Sequence, residues 1–326
     1  MNIFTWIQKI WRTLSSISGN VVTAAFLISL IVFLIEKYRY HYKRAAYKKE
    51  ENSFLSGAHM PENSAVRKVV VITGASSGLG RKYALTIDRN PAKYDVTEFW
   101  LIARRRDRLE ALASGLHLPV KVLCLDLTDS ENIDFLEKCL EQESASAGGS
   151  SAFTVSMLLN CAGYGKYGSS RDIGRQEECR MIDTNDKASI SVTAAVIPYM
   201  NAGSRILEVC SVAGFQPIPF FNCYAASKSL LYSYSRALRI ELLNSGISVT
   251  AVCPYWIKDT EFIAKAAGEQ KNLFLASTAS RVVRISLFDV QHHHALSTPG
   301  LLCTLDRIFA GWIPDEVLAY IMTFFL

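Results

Sequence analysis

Apolar residues in this chain gather into short unbroken runs, and between the runs they spread out to helical spacing. Val69-Val70-Val71-Ile72 is β-branched throughout and carries no turn signal, which is how a strand buried on both faces reads. Comparable runs recur over 97–103, 120–126, 155–159, 205–210 and 248–254, so six strands are expected. Arg81-Lys82-Tyr83-Ala84-Leu85 opens a helix, and Leu109, Leu112 and Leu116 mark a helical stripe. Further helices are expected over 131–142, 175–200 and 224–243. Residues 144–151, all Ser, Ala and Gly, read as a flexible connection. Strands alternating with helices predict an α/β fold, a single doubly wound parallel sheet with helices on both faces.

One run breaks this alternation. No Asp, Glu, Lys or Arg stands between Arg12 and Glu36, a window longer than the roughly 20 residues a spanning helix needs. A membrane anchor, a cleaved signal peptide and a buried helix all share that pattern. A signal peptide ends in a small-x-small site, whereas Ile35 is followed by Glu36-Lys37-Tyr38-Arg39-Tyr40. Tyr38, Tyr40 and Tyr42 interleaved with Lys37, Arg39, Lys43 and Arg44 have the composition of a cytoplasmic membrane interface. The expectation is an N-terminal membrane-anchor helix with a basic flank over 1–45, then a polar linker over 46–66. A folded domain facing the cytoplasm follows in two parts, 67–262 and 263–326. The second part reads as a lid and an apolar C-terminal segment that could serve as core, dimer surface or membrane contact.

The first strand ends in Thr73-Gly74-Ala75-Ser76-Ser77-Gly78-Leu79-Gly80, and a helix begins at once. Glycine lets the backbone approach an anion closely, and a helix N-terminus presents free N–H groups and positive partial charge. The strand before and the helix after make this a candidate dinucleotide site, with Gly74, Ser76, Ser77, Gly78, Leu79 and Gly80 as contacts. The second strand closes in Ala103-Arg104-Arg105-Arg106. An acidic residue there would hold ribose hydroxyls, whereas an arginine accommodates a 2′-phosphate. Arg104, with Arg105 as helper, therefore points to NADP(H). Asn160-Cys161-Ala162-Gly163 ends the fourth strand, where small residues let a ligand lie against the backbone; Asn160, Ala162 and Gly163 are further candidate contacts.

Composition removes alternatives. The formal charge of +5 is concentrated between Lys37 and Lys49, and neither zinc-finger spacing nor a base-reading basic helix is present; nucleic acid is not an expected partner. None of the eight cysteines forms a C-x-x-C pair, so they read as small buried hydrophobes in a reducing compartment. His292-His293-His294 point in different directions without a supporting carboxylate or cysteine cluster, and an exposed loop is expected there instead of a metal site.

Tyr224 and Lys228 stand four apart at the start of a helix and so share one face. A free phenol titrates near 10, and a neighbouring ammonium lowers that value toward the range useful for proton transfer to a carbonyl. With Gly74-x-x-x-Gly78-x-Gly80 upstream and Ser211 at the end of the fifth strand, this pair resembles the short-chain dehydrogenase/reductase family over roughly 67–262. The resemblance implies a Rossmann-type fold and a tyrosine general acid, Tyr224, tuned by Lys228, which also holds the cofactor ribose. It implies that Ser211 orients the substrate oxygen and that Asn185 holds a water relaying protons to Lys228. It further implies that Asp126 lies against adenine, that Pro254 lies near the nicotinamide, and that Thr260 contacts the cofactor's carboxamide or phosphates. Cys161 and Tyr255 depart from the family's usual Asn and Gly.

Phe215, Pro217, Ile218, Pro219, Phe220 and Phe221 form an apolar lip before Tyr224, with Tyr255 and Trp256 facing it. Apolar walls suit a lipophilic small molecule. The expected activity is an NADP(H)-dependent interconversion of a ketone and a secondary alcohol on a steroid or long-chain acyl type of substrate, most similar to hydroxysteroid dehydrogenases and 3-oxoacyl reductases. The alternative is a catalytically silent NADP(H)-binding sensor or scaffold at a membrane. The membrane through the N-terminal segment and a second copy of the chain, as a homodimer, complete the candidate partners.

Overall fold

A computed structural model of the chain describes residues 66–150, 152–267 and 276–323, which all fall within one compact unit, Gly57–Leu326. The chain runs β1 (Arg67–Thr73), α1 (Gly78–Asp88), β2 (Glu98–Ala103), α2 (Arg106–Ala113), β3 (Val120–Cys124), α3 (Ser130–Ala147) and β4 (Phe153–Asn160). It continues through α4 (Arg175–Ile182), one turn of π-helix (Asp183–Lys187), α5 (Ala188–Val196), β5 (Arg205–Val209), a 3-10 turn (Val212–Phe215), α6 (Asn222–Glu241) and β6 (Ser248–Val252). The last elements are α7 (Glu261–Ala267), α8 (Ala279–Gln291), β7 (Leu296–Ser297), α9 (Leu301–Ala310) and α10 (Asp315–Met322). The strands form one sheet in the order β3-β2-β1-β4-β5-β6-β7, and every pairing in it is parallel.

Two apolar layers hold the helices to the sheet, and the period of two along a strand decides which layer each residue joins. In β1, Val70 and Ile72 join α1 (Tyr83, Ile87) and α8 (Val283, Leu287) on one face. Val69 and Val71 join α3 (Leu136, Leu140) and α5 (Val192, Val196) on the other. Val155 and Leu158 of β4 share this second face although they are an odd number of residues apart. A register shift opposite Val69 and Val70 reconciles the two: one extra residue in a strand reverses its facing from there on.

Three differences from the sequence pattern have local causes. The Ser/Ala stretch expected to be a flexible connection continues α3 as far as Ala147, and Gly148, at φ 98°, ends it in the left-handed conformation; alanine favours helix and glycine supplies the stop. The helix expected over 175–200 is interrupted by the π turn around Asn185. The seventh strand has two residues, too short to leave a periodic trace. Within the part expected to be a lid, α8 lies on the sheet, with Val282, Val283, Leu287 and Val290 fully buried.

The membrane-anchored placement is corrected. Among the described residues no helix is long and apolar enough to cross a membrane, and the stretch 1–45 on which that expectation rested lies outside them, as does the linker up to residue 65. The anchor and its cytoplasmic orientation are withdrawn.

Candidate active site

The C-terminal ends of β1, β2, β4, β5 and β6 open onto one cavity of about 1120 Å³, the place where open α/β sheets bind ligands. At its floor Thr73 Oγ1 accepts hydrogen bonds from the backbone N–H groups of Cys161 (3.0 Å) and Ala162 (3.1 Å), joining the ends of β1 and β4. This closeness is what requires glycine at 74. With φ 63°, a Cβ there would stand 2.9 Å from the Ala162 backbone. The turn leaves a bare backbone cradle whose far wall is Thr260, 3.8 Å from where a Cβ on Gly78 would lie.

Of the predicted contacts, Gly74, Ser76, Ser77, Gly78, Leu79, Arg104, Asp126, Ala162, Gly163, Ser211, Tyr224, Lys228, Pro254 and Thr260 line the cavity. Gly80, Asn160 and Asn185 stand behind its wall. The Asn160 side chain turns away from the cleft, donating to Glu208 Oε1 (2.8 Å) and Thr193 Oγ1 (2.8 Å). Asn185 is fully buried in the π turn, where its amide brackets the backbone of Tyr164 (2.9 Å to both N and O) and donates to Ser227 Oγ at 3.0 Å. Arg104 extends toward Asp126 (3.8 Å) with its side chain 65% exposed. Arg105, expected only as a helper, does the gripping: it donates to Ser76 Oγ and Ser77 Oγ (2.7 Å) and to Glu261 Oε2 (3.0 Å).

Tyr224 and Lys228 sit together at the start of α6, 7% and 4% exposed, with the ammonium 5.8 Å from the ring centre. Lys228 Nζ donates to the Val209 carbonyl at 2.9 Å. Ser211 accepts from the Ala213 N–H (3.2 Å) as cap of the 3-10 turn and lies on the same cavity as Tyr224. Burial pushes the Tyr224 phenol well above its ordinary value, the nearby Ser211 hydroxyl opposing it, and burial pulls the Lys228 ammonium down. The lowered phenol pKa expected from the Tyr/Lys spacing is therefore not found, because desolvation of the buried phenol dominates.

Aromatic rings form the outer wall. Phe221 stacks on Tyr224 with centroids 4.3 Å apart, Trp256 lies 5.9 Å from Phe221, and Phe262 lies 5.4 Å from Tyr224. The predicted lip divides: Ile218 and Phe221 line the cavity, Phe215 packs edge-on against Tyr232, and Phe220 is half exposed at φ 61°. Beyond the aromatics, Leu302, Leu305, Phe309 and Ile321 complete the wall. One polar pair interrupts it: Gln216 Nε2 donates to Asp306 Oδ1 at 3.1 Å, and burial raises the Asp306 carboxyl to about 6. Sequence patterning gave no sign of this pair, because Asp306 lies on a helix whose exposed and cavity-facing positions are both apolar.

The profile of the short chain dehydrogenase family matches residues 68–271. The chain belongs to the short-chain dehydrogenases. Among similar members, an uncharacterised oxidoreductase of Staphylococcus epidermidis is 29% identical over 66% of this chain and 89% of its own length. The sulfoacetaldehyde reductase of Chromohalobacter salexigens is 36% identical over 62% of this chain and 77% of its own. A solved short-chain dehydrogenase from Sphingobium yanoikuyae, in complex with NADPH, is 26% identical and superimposes with a TM-score of 0.61, covering 76% of this chain and 97% of that one. These likenesses make this chain an oxidoreductase of the short-chain dehydrogenase type with a doubly wound sheet.

Proposed function

We propose that this short-chain dehydrogenase uses NADP(H) to interconvert a ketone and a secondary alcohol on a hydrophobic substrate, of the steroid or long-chain acyl type. The observation that carries the reading is the meeting of Ser211, Tyr224 and Lys228 in one cavity with a glycine turn whose close approach to Ala162 leaves no room for a Cβ at position 74. The cradle and the backbone of Ala162 and Gly163 fit a pyrophosphate-linked cofactor, Asp126 fits its adenine end, and Arg104 and Arg105 fit a 2′-phosphate. Lys228 would hold the ribose hydroxyls of such a ligand, Pro254 would lie toward its nicotinamide, and Thr260, beside Gly78, would contact its carboxamide or phosphates. When bound, the cofactor supplies or accepts the hydride.

In the reduction direction the chain's own residues supply the proton. Burial keeps the Tyr224 phenol protonated through the neutral range, so its hydroxyl is loaded to donate to the carbonyl oxygen as the carbon is reduced. Ser211 holds that oxygen in line. The Lys228 ammonium lies close enough to steady the phenolate that remains, and Asn185 keeps α6 and the Tyr164 backbone in register behind it. The aromatic and aliphatic wall excludes water and favours an apolar substrate.

Tyr224→Phe removes the proton and leaves the ring. Turnover of a lipophilic ketone, followed by NADPH absorbance, is expected to fall by at least a hundredfold, while NADPH binding measured by fluorescence is retained. Undiminished turnover would refute the assigned acid.

A further inference from the structure

Three separate stretches of chain converge at the mouth of the cradle: the turn after β1, the turn after β2, and the start of α7. Arg105 donates to Ser76 Oγ (3.2 and 3.0 Å) and to Ser77 Oγ (2.7 Å). Its remaining terminal nitrogen donates to Glu261 Oε2 at 3.0 Å, and Arg108 donates to Glu261 Oε1. Two guanidiniums converging on one carboxylate, one of them braced by two hydroxyls, form a receptor for an anion, and a carboxylate of the same chain fills it. Arg105 is one of the two arginines that the NADP(H) reading gives to the 2′-phosphate, and Arg108 stands beside it on the same carboxylate.

We infer that Glu261 is a built-in anion of the 2′-phosphate site, displaced when NADP(H) binds, and thereby a determinant of how strongly phosphorylated cofactor is preferred. A phosphate carries more charge and more acceptor oxygens than a carboxylate, so it prevails in the exchange, and Glu261 lowers the net gain. An unphosphorylated dinucleotide has nothing to exchange and leaves the carboxylate in place. The displacement also reaches the substrate side, because Glu261 is followed by Phe262, whose ring faces Tyr224. Release of Glu261 therefore frees one wall of the cavity only after the cofactor has arrived.

This inference rests on the NADP(H) reading, and two probes separate them. The full chain and its Glu261→Gln variant are titrated calorimetrically with 2′,5′-ADP, which carries the extra phosphate, and with 5′-AMP, which does not. The variant is expected to bind 2′,5′-ADP roughly three- to tenfold more tightly, the scale of losing two partly exposed ion pairs, with 5′-AMP affinity unchanged. Glu261→Asp, which keeps the charge, is expected to stay near the parent and shows that the gain follows the charge. Unchanged or weaker 2′,5′-ADP binding by Glu261→Gln overturns the inference, and so does an equal gain for both probes, which would mean a generally loosened cleft. If the parent binds 5′-AMP but neither protein binds 2′,5′-ADP, the NADP(H) reading fails and takes the inference with it.

Discussion

Asp186 is 2% exposed, and neither carboxylate oxygen has a hydrogen-bond partner. Burial pushes its carboxyl up to about 7 against the pull of the Lys228 ammonium. Glu208, fully buried beneath the same lysine, is also held at about 7, despite bonds from Asn160 and Thr193. Such a carboxyl keeps its proton in the folded chain at a pH where the unfolded chain has lost it. The folded state binds more protons between about pH 4 and 7, so stability falls as pH rises through that window and stays low above it. Asp186→Asn removes this titration. Its thermal midpoint should exceed the parent's by several degrees at pH 8 and by less at pH 5, and a gain independent of pH in a thermal melt series would contradict the assignment. This residue-scale chemistry was not legible beforehand. β4 and β5 are buried on both faces, so no polar/apolar alternation told whether Asn160 or Glu208 faced the cleft or the helices. Likewise Arg104 and Arg105 are consecutive at a strand end, and only the path of the turn after β2 decides which one reaches Ser76 and Ser77.

At the scale of elements, the reaction geometry depends on how α6 is seated. The 3-10 turn Val212–Phe215 lies directly on it: a Cβ at Gly214 would stand 2.6 Å from the Lys228 carbonyl oxygen and 2.7 Å from its carbon. Backbone cannot yield as a side-chain end can, so Gly214→Ala must push the turn and helix apart, moving Tyr224 and Lys228 away from Ser211. A loss of about 1–3 kcal/mol in stability and a fall in kcat of at least tenfold are expected from unfolding curves and steady-state assays. Full activity in this variant would show that the seating does not set the geometry. The pairing of Tyr224 with Lys228 was readable because it follows helical periodicity. The π turn around Asn185 was not, since one inserted residue in a helix leaves no change in an apolar pattern that is already weak there.

The described residues join a sheet frame to a chamber: five strand ends define its floor, while α9 and α10 add an apolar roof. Cavity lining by Leu302, Phe309 and Ile321 favours substrates that bury hydrocarbon. Along a homologous series of ketones, kcat/KM should rise by up to about fourfold for each added methylene until the chamber is filled. A series that declines with length, or a preference for a small charged aldehyde over every long ketone, would overturn the hydrophobic-substrate reading. The alternation of strands and helices made the sheet legible from the apolar runs. The chamber roof was not legible, because α9 and α10 are apolar on both their cavity and outer faces, with Phe309 and Tyr320 more than half exposed.

The two-residue β7 closes one border of the sheet, bonded to β6 through Leu296 and Ser297. So brief a border strand offers few unpaired backbone groups to an incoming chain, and natural sheets resist fibre-like growth by this kind of shortening. Ala295 and Ser297 spend their carbonyls on Ala251 and Cys253 of the inner neighbour, so that side of the molecule is poorly suited to template aggregation.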